Sequence, residues 1–216
     1  MERIICLAIG YVFGLFQTGY IYGKLHNVDI RTMGSGNAGT TNALRTMGFK
    51  AGAITFLGEA FKCIFAVLTV KAIFGAAHAD ILPLLAMYAG MGAVLGHNFP
   101  FYLKFKGGKG IAATAGLLAS TLPLGLVFVC LLSFAIPVLV TKYVSVGSLI
   151  VVTVYLACVI GYGQFGGFSV AQPVLFEMYV IAAILMLLAF YRHRANIQRL
   201  MNGTENKIGA GKNKKK

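Results

Sequence analysis

The stretch from Gly96 to Thr114, GHNFPFYLKFKGGKGIAAT, combines residue types that bind anions. Its centre contains three lysines and three glycines: Lys104, Lys106, Gly107, Gly108, Lys109 and Gly110. Glycine allows a close approach of the backbone to a ligand, and consecutive backbone N–H groups form an anion-binding nest. If a helix begins at Ile111, the positive end of its dipole lies at this loop. The pattern predicts a phosphate site, and the alternative is a basic loop that flanks a membrane span.

A second polar cluster, GSGNAGTTNALR at residues 34–45, also suits phosphate oxygens. Arg45 can bind a phosphate through two parallel hydrogen bonds. The other hydrogen-bonding side chains of the cluster are Ser35, Asn37, Thr40, Thr41 and Asn42. Thr41 or Asn42 could instead cap a helix that runs towards Arg45, and the two roles can coexist.

Three further polar groups lie at the ends of apolar segments. His97 ends one segment just before the lysines, and we expect it in the active site. Ser145 and Ser148 share a helical face and are candidate anion ligands, or else an N-cap with a backbone-bonded serine. His193 and Asn196 also share a face, and His193 could act as a base or hydrogen-bond donor near neutral pH. The alternative for this last segment is a basic juxtamembrane helix that binds anionic lipid.

Two charged residues, Glu59 and Lys62, fall deep inside an apolar segment. Ionisable residues within a membrane are unfavourable and indicate function or mutual pairing. Their spacing of three places them on one helical face. We therefore predict a structural ion pair that borders the polar cavity.

The sequence lacks the motifs that are typical of several other kinds of catalytic or metal site. The four cysteines lie in apolar runs without disulfide or zinc spacing. No catalytic triad or metal-ligand pattern is present, and no histidine has an aspartate five residues later, as in one large class of acyltransferases. The sequence therefore predicts neither a metal nor a cofactor.

The elements that must position these groups are membrane helices. Hydrophobic residues make up 58% of the chain and charged residues 12%, about half the charged fraction of a soluble domain. The apolar segments are 4–22, 51–74, 81–99, 111–121, 124–141, 146–162 and 173–191. Segment 111–121 would be about 16 Å long as a helix, roughly half a bilayer. We predict an all-α, polytopic integral membrane protein with about seven transmembrane helices and a half-membrane helix at 111–121.

The distribution of positive charge predicts the orientation of these helices. With the N-terminus outside and the C-terminus cytoplasmic, sixteen of the 19 lysine and arginine residues lie on the cytoplasmic side. The exceptions are Arg3, Lys62 and Lys71. The net charge of +13 favours a membrane surface and anionic substrates over nucleic acid. We predict one transmembrane catalytic domain, 1–200, and a basic cytoplasmic tail, 201–216.

Three blocks together resemble a known family: GSGNAGTTNALR, GHNFPFYLKFKGGKGIAAT and RHRANIQRLMNGTENK, in this order. They closely resemble the bacterial membrane glycerol-3-phosphate acyltransferases that use acyl phosphate as donor. Two departures are small. Glu59-Ala-Phe-Lys62-Cys63 stands where that family usually has Asp-x-x-Lys-Gly, and Gly39-Thr40-Thr41-Asn42 where it usually has Gly-Ala-Thr-Asn.

The resemblance implies transfer of a fatty acyl group from acyl phosphate to the 1-hydroxyl of glycerol 3-phosphate. The products would be lysophosphatidic acid and phosphate, in the first step of phospholipid synthesis. The expected location is the bacterial cell membrane, with the active site on the cytoplasmic face. The expected partners are glycerol 3-phosphate, acyl phosphate, membrane lipids and, by functional coupling, an acyl-phosphate-forming enzyme.

The residues are assigned roles on this hypothesis. The candidate catalytic residues are His193, Asn196, Ser35 and Arg45. The candidate substrate-binding residues are Asn37, Asn42, His97, Lys104, Lys106, Gly107, Gly108, Lys109, Gly110, Ser145 and Ser148. Lys104, Lys106 and Arg45, with Ser35, would hold phosphates, and the 107–110 backbone would cradle one of them. His193 and Asn196 would orient the glycerol hydroxyl, and the base would be His193 or the donor's own phosphate.

Two other functions compete with this one. The first is a membrane transporter or channel for phosphorylated anions, which needs a polar pathway reachable from both faces. The clustering of the polar groups on one face argues against it. The second is a scaffold that binds acidic lipids through its basic tail.

Overall fold

The computed structural model describes residues 1–208, which form ten α-helices, two short 3₁₀ turns and no β-strand. The helices are α1 (Glu2–Gly14), α2 (Thr18–Leu25), α3 (Thr40–Met47), α4 (Phe49–Phe74), α5 (Leu82–Asn98), α6 (Ile111–Thr121), α7 (Leu124–Thr141), α8 (Val144–Gln164), α9 (Gln172–Arg192) and α10 (Arg194–Met201). The predicted all-α class is confirmed. The end of the predicted basic tail, residues 209–216, lies outside the described residues.

The long helices are membrane helices by length and composition. Within residues 1–208, five candidate spans qualify: Glu2–Leu25, which joins α1 and α2, and the helices α4, α7, α8 and α9. The third predicted span is helix α5, with 17 residues, and the predicted half-helix is α6, with 11. The predicted break before α7 is confirmed, because Leu122 is extended as expected for a residue that precedes proline.

The predicted first span at 4–22 is confirmed as part of the candidate span Glu2–Leu25, but a break interrupts its helix. Helix α1 ends at Gly14, and α2 begins only at Thr18 after the non-helical Gln17. The break leaves backbone carbonyls without helical partners, and such groups must find donors inside a bilayer. The Lys62 ammonium donates to the carbonyls of Gly14, at 2.9 Å, and Phe16, at 2.7 Å. A buried lysine from α4 therefore stabilises the break.

Helices α1 and α5 cross at glycines. A Cβ atom on Gly10 would lie 1.9 Å from the carbonyl oxygen of Ala89, and one on Gly92 would lie 2.1 Å from that of Leu7. Small residues allow two membrane helices to bring their backbones together. This contact fixes the end of α5, and with it His97, against the break between α1 and α2.

Helix α6 is held at its middle and at its C-terminal end. It packs along α4, and a Cβ atom on Gly116 would lie 2.2 Å from the carbonyl oxygen of Ala60. At its C-terminal end the Lys71 ammonium donates to the carbonyl of Ser120 at 2.9 Å. A cation at this end of a helix is favourable because the dipole is negative there. Lys71, an exception to the charge asymmetry, thus has a structural partner.

The glycine crossing gives a stability prediction. We expect Gly92→Ala to destabilise the protein by about 1–3 kcal/mol, because the added methyl group overlaps the α1 backbone. Gly161→Ala in α8 is the matched control, since a Cβ atom on Gly161 would have no neighbour within 4 Å. There the gain in helix propensity should raise stability slightly. Thermal unfolding in detergent measures both, and equal melting temperatures would contradict the crossing.

Candidate active site

A cavity of about 280 Å³, here the main cavity, brings together polar groups from the three sequence blocks. The predicted site residues that line it are Ser35, Asn37, Asn42, Arg45, His97, Lys109, Gly110, Ser145, Ser148, His193 and Asn196. Residues separated by more than 150 positions in the chain therefore share one chamber. Lys104, Lys106, Gly107 and Gly108 do not line it.

Four helices begin at the wall of the main cavity. The first turns of α3, α6, α8 and α10 contribute Thr40, Ile111, Ser145 and Asn196, respectively, to its lining. A helix N-terminus carries unpaired N–H groups and a partial positive charge. Such ends bind phosphate and carboxylate groups. Their convergence makes the cavity attractive to anions before any side chain is considered.

Lysine and arginine side chains add full charges to this cavity. Lys109, Arg45 and Arg199 all line it. The pKa of Lys109 is lowered to about 8, first by burial and also by the positive charges of Arg199, Arg192 and Arg45, while Glu205 acts in the opposite direction. Arg45 is exposed at the rim, and its side chain has no hydrogen bond to any residue in 1–208. A bound anion would offset both the repulsion between these positive charges and the cost of burying the charged Lys109 ammonium.

Glu205 is a site residue that the sequence reasoning missed. Its side chain is 6% exposed and accepts hydrogen bonds from Asn196 Nδ2 at 2.7 Å and Ser145 Oγ at 3.2 Å. The Arg199 Nε atom lies 2.7 Å from the other carboxylate oxygen. One feature of the sequence could have indicated its role: Glu205 is a carboxylate within the otherwise basic third block, RHRANIQRLMNGTENK. Arg199, in the same block, also lines the cavity and was not among the predicted site residues.

Asn196 links Glu205 to Lys109. Its amide donates to Glu205, while its oxygen accepts a hydrogen bond from the Lys109 ammonium. Both ends of the amide are therefore occupied. A substrate hydroxyl or phosphate that binds to Asn196 must share or replace one of these partners.

His193 is a neutral imidazole in this environment. Its Nδ1 atom lies 2.8 Å from the carbonyl oxygen of Ala189, which can only accept, so the proton is on Nδ1. Burial lowers the pKa of His193 to about 4, and the nearby positive charge of Lys109 acts in the same direction. The Nε2 atom is therefore unprotonated near neutral pH. It can accept a hydrogen bond from a hydroxyl group.

His97 belongs to a buried polar cluster beside the main cavity. Its Nδ1 atom lies 2.7 Å from Glu59 Oε2, and Lys62 also pairs with the Glu59 carboxylate. The backbone N–H of Thr18 donates to the other carboxylate oxygen at 2.8 Å. The predicted Glu59–Lys62 ion pair is confirmed, and Glu59 and His97 both border the cavity. We call Glu59, Lys62, His97 and Thr18 the buried cluster.

The glycine-rich loop packs on this cluster. The N–H groups of Gly107 and Gly108 donate to the carbonyls of Asn98 and His97, at 3.2 and 3.1 Å. A Cβ atom on Gly108 would lie 1.9 Å from the His97 ring. The N–H groups of Gly107 and Gly108 are therefore already bonded in this structure, and the predicted phosphate cradle at 107–110 stays a prediction that these two N–H groups do not support. Their glycine character is required by the close contact with His97.

The capping alternatives are also resolved. Helix α3 begins after Gly39, so neither Thr41 nor Asn42 is its N-cap. The Asn42 amide instead holds the loop before it: its nitrogen donates to carbonyls that include Met33, and its oxygen accepts from the N–H of Ser35. This network positions Ser35 at the cavity.

At α8 the alternative of a serine N-cap is wrong, since the cap position is Tyr143. The backbone-bonded serine is confirmed at Ser148, whose hydroxyl donates to the carbonyl of Val144. Ser145 instead donates its hydroxyl hydrogen bond to Glu205.

A second cavity, of about 390 Å³, lies between the first loop and the glycine-rich loop. This loop cavity is lined by Asp29, Arg31, Thr32, Gly36, Asn37, Phe105, Lys106, Gly107 and Arg192. Lys106 therefore faces a different chamber from Lys109. Lys104 is exposed and lines neither of these two cavities.

Residues 1–208 contain no group of three or more histidine, cysteine or acidic side chains arranged to hold a metal ion. The four cysteines are free thiols, as their positions in apolar runs suggested.

Comparisons with known proteins agree closely with one another. The sequence model of a family described as glycerol-3-phosphate acyltransferase matches residues 4–203. A glycerol-3-phosphate acyltransferase of Clostridioides difficile is 43% identical over 217 residues, which cover 97% of each chain. Another from Thermotoga maritima, glycerol-3-phosphate acyltransferase 2, is 40% identical and covers 93% of each chain.

Two solved structures share the fold. A crystal structure of PlsY, an integral membrane glycerol 3-phosphate acyltransferase, in its glycerol 3-phosphate form has a TM-score of 0.79 and 31% identity. The lysophosphatidic acid form of PlsY has a TM-score of 0.79 and 28% identity. Both matches cover 97% of this chain and 96% of the other.

The pKa of Lys109 predicts how anion binding depends on pH. Lys109 is charged below pH 8 and neutral above it, so the affinity for sulfate should fall by about tenfold between about pH 7 and about pH 9. Sulfate is a suitable probe because its charge is constant over this range. Equilibrium dialysis with labelled sulfate measures the affinity.

The matched variant is Lys109→Arg, which keeps its charge at both pH values and should lose most of the pH dependence. Equal sulfate affinity of the wild-type protein at both pH values would contradict a role for Lys109 in binding the anion.

Proposed function

The chain belongs to the glycerol-3-phosphate acyltransferase family, and from this premise we propose that it transfers a fatty acyl group from acyl phosphate to the 1-hydroxyl of glycerol 3-phosphate. The products would be lysophosphatidic acid and inorganic phosphate. The observation that carries the proposal is the convergence of four helix N-termini and three basic side chains beside the neutral His193. Such a site suits a reaction in which both substrates carry a phosphate.

Acyl transfer from an acyl phosphate does not require a covalent intermediate with the protein. An acyl phosphate is already activated, so catalysis can come from positioning and from stabilisation of charge. We assign Lys109, Arg45 and Ser35 to the phosphate groups in the main cavity. Lys104 is left out of this assignment because its side chain lies at neither cavity.

The proposed step begins at the glycerol hydroxyl. Its oxygen attacks the acyl carbon, the bond between that carbon and the phosphate oxygen breaks, and inorganic phosphate leaves. The hydroxyl proton passes to the leaving phosphate or to Nε2 of His193, which is free to accept it. A pKa of about 4 makes His193 a weak base in the free protein. Two bound anions would raise it, because negative charges favour the protonated imidazole.

The acyl chain would follow the apolar wall of the main cavity. Phe56 of α4 and Phe134 and Val138 of α7 line this wall. Phe56 is 39% exposed, so the packing of the other helices leaves part of this wall uncovered. A lipid-like donor could therefore reach the reactive end of the cavity sideways, while the soluble substrate arrives from water.

The charge distribution supports a proposal for the location of the protein. We propose that the protein is a multi-pass protein of the bacterial cell membrane with the main cavity at the cytoplasmic face. Its acyl phosphate would come from an enzyme that forms this donor. Residues 1–200 would act as one transmembrane catalytic domain.

The reaction is tested with purified protein in lipid or detergent and labelled glycerol 3-phosphate. Palmitoyl phosphate should give lysophosphatidic acid, and palmitoyl-CoA should give none. Arg45→Ala should lower kcat/KM by about a hundredfold, because one charged contact to a phosphate is lost. Arg194→Ala is the control, since Arg194 stacks on Tyr191 away from both cavities. Product with palmitoyl-CoA alone would refute the proposed donor.

The role of His193 has its own test. His193→Gln should lower kcat by about a hundredfold or more if Nε2 accepts the hydroxyl proton. His26→Gln is the matched control: the His26 Nδ1 atom also bonds the carbonyl four residues earlier, but the ring is exposed. Wild-type turnover in His193→Gln would exclude His193 as the base and leave the donor's phosphate in that role.

A further inference from the structure

The loop cavity carries positive charge that no carboxylate of residues 1–208 neutralises. Lys106 lines it and forms no ion pair with any described residue. Arg192 donates through Nη2 to the carbonyls of Gly107 and Gly108, at 3.0 and 2.7 Å. These partners are neutral, so the charge of Arg192 also stays uncompensated.

The carboxylate that lines this cavity is already paired. Asp29 accepts hydrogen bonds from Arg31 at both oxygens, at 3.0 Å from Nε and 2.8 Å from Nη2. This pairing lowers the pKa of Asp29 to about 2, so the Asp29–Arg31 pair is neutral as a unit over the physiological range. The lining therefore has a net charge of two positive units from Lys106 and Arg192. That charge matches a phosphate monoester or inorganic phosphate in its doubly charged form.

Neutral donors complete the lining. The side-chain oxygen of Asn37 accepts from the N–H of Gly39 at 3.0 Å, and its NH₂ group has no partner within the described part of the chain. This NH₂ group is therefore available as a donor to an anion.

The backbone of the loop cavity is strained at Phe105. Phe105, which forms part of the wall, has a φ of 59°. A bulky residue in the left-handed region is uncommon, and such strain concentrates at functional sites.

The loop cavity adjoins the main cavity. Asn37 lines both, and the neighbouring residues Arg192 and His193 face one cavity each. The lysines alternate in the same way, with Lys106 in the loop cavity and Lys109 in the main cavity. Lys106 and Gly36 are exposed, so the loop cavity opens to solvent. An anion that travels between solvent and the main cavity would pass along these shared walls.

We propose that the loop cavity is a second phosphate-binding site, which holds a phosphate group in transit to or from the main cavity. The group is that of an arriving substrate or the inorganic phosphate that is released. Anion binding itself rests on the charges of Lys106 and Arg192, whereas the source of the phosphate rests on the proposed acyl transfer.

The test compares Lys106→Gln with Lys106→Arg. Equilibrium dialysis of the full chain against labelled inorganic phosphate should show two classes of site in the wild type, with the weaker class lowered about tenfold in Lys106→Gln and restored in Lys106→Arg. Lys50→Gln is the control, because Lys50 is exposed at the start of α4 and lines neither cavity.

Kinetics then identify the source of the phosphate. A higher KM for glycerol 3-phosphate or palmitoyl phosphate in Lys106→Gln, with kcat unchanged, supports an arriving substrate. A selective rise in the inhibition constant of inorganic phosphate supports the departing product. Phosphate binding in Lys106→Gln equal to that of the wild type and Lys50→Gln overturns the site. If the wild type lacks transferase activity but Lys106→Gln still weakens phosphate binding, the proposed function fails and the site remains.

Discussion

The Glu59 carboxylate is the group on which the rest of the site depends. It is fully buried and is shared by Lys62, His97 and the backbone N–H of Thr18. Each partner belongs to a different part of the chain, so one charge joins α4, the start of α2 and the end of α5. Removing one member of a buried ion pair typically destabilises a protein by about 3–5 kcal/mol, because the other charge is left unpaired. The cluster therefore restrains the geometry of the cavity beside it.

The buried cluster also fixes the position of the glycine-rich loop. The carbonyl of His97 accepts from the N–H of Gly108, and the side-chain amide of Gln17 bonds the same carbonyl. The loop is thus attached to the buried cluster at Gly107 and Gly108, while Lys109 and Lys106 extend into different cavities. The two glycines that a sequence pattern associates with phosphate binding serve here to let the loop approach His97. The phosphate site is then formed by side chains and helix N-termini around this fixed loop.

Much of this architecture could be predicted from the sequence. Hydropathy predicted the helical class and the short α6, and the spacing of Glu59 and Lys62 predicted their ion pair. The break after Gly14 could not be predicted, because residues 4–22 contain no charged residue or proline to mark it and the donor that stabilises the break, Lys62, is distant in the chain. The separation of Lys106 from Lys109 depends on left-handed turns at Lys104 and Phe105, which composition does not indicate. Glu205 was missed because its partners become neighbours only in the folded chain.

The main cavity, formed by converging helix N-termini and Lys109, should hold the phosphate of a substrate. The decisive measurement is a structure of this protein with bound glycerol 3-phosphate. Phosphate oxygens should lie about 2.7–2.9 Å from Lys109 Nζ, the usual length of a charged hydrogen bond. They should also contact the first turn of α6, and the glycerol 1-hydroxyl should be directed at Nε2 of His193. A glycerol 3-phosphate molecule bound away from Lys109 and the helix N-termini of the main cavity would rule out this cavity as the phosphate site.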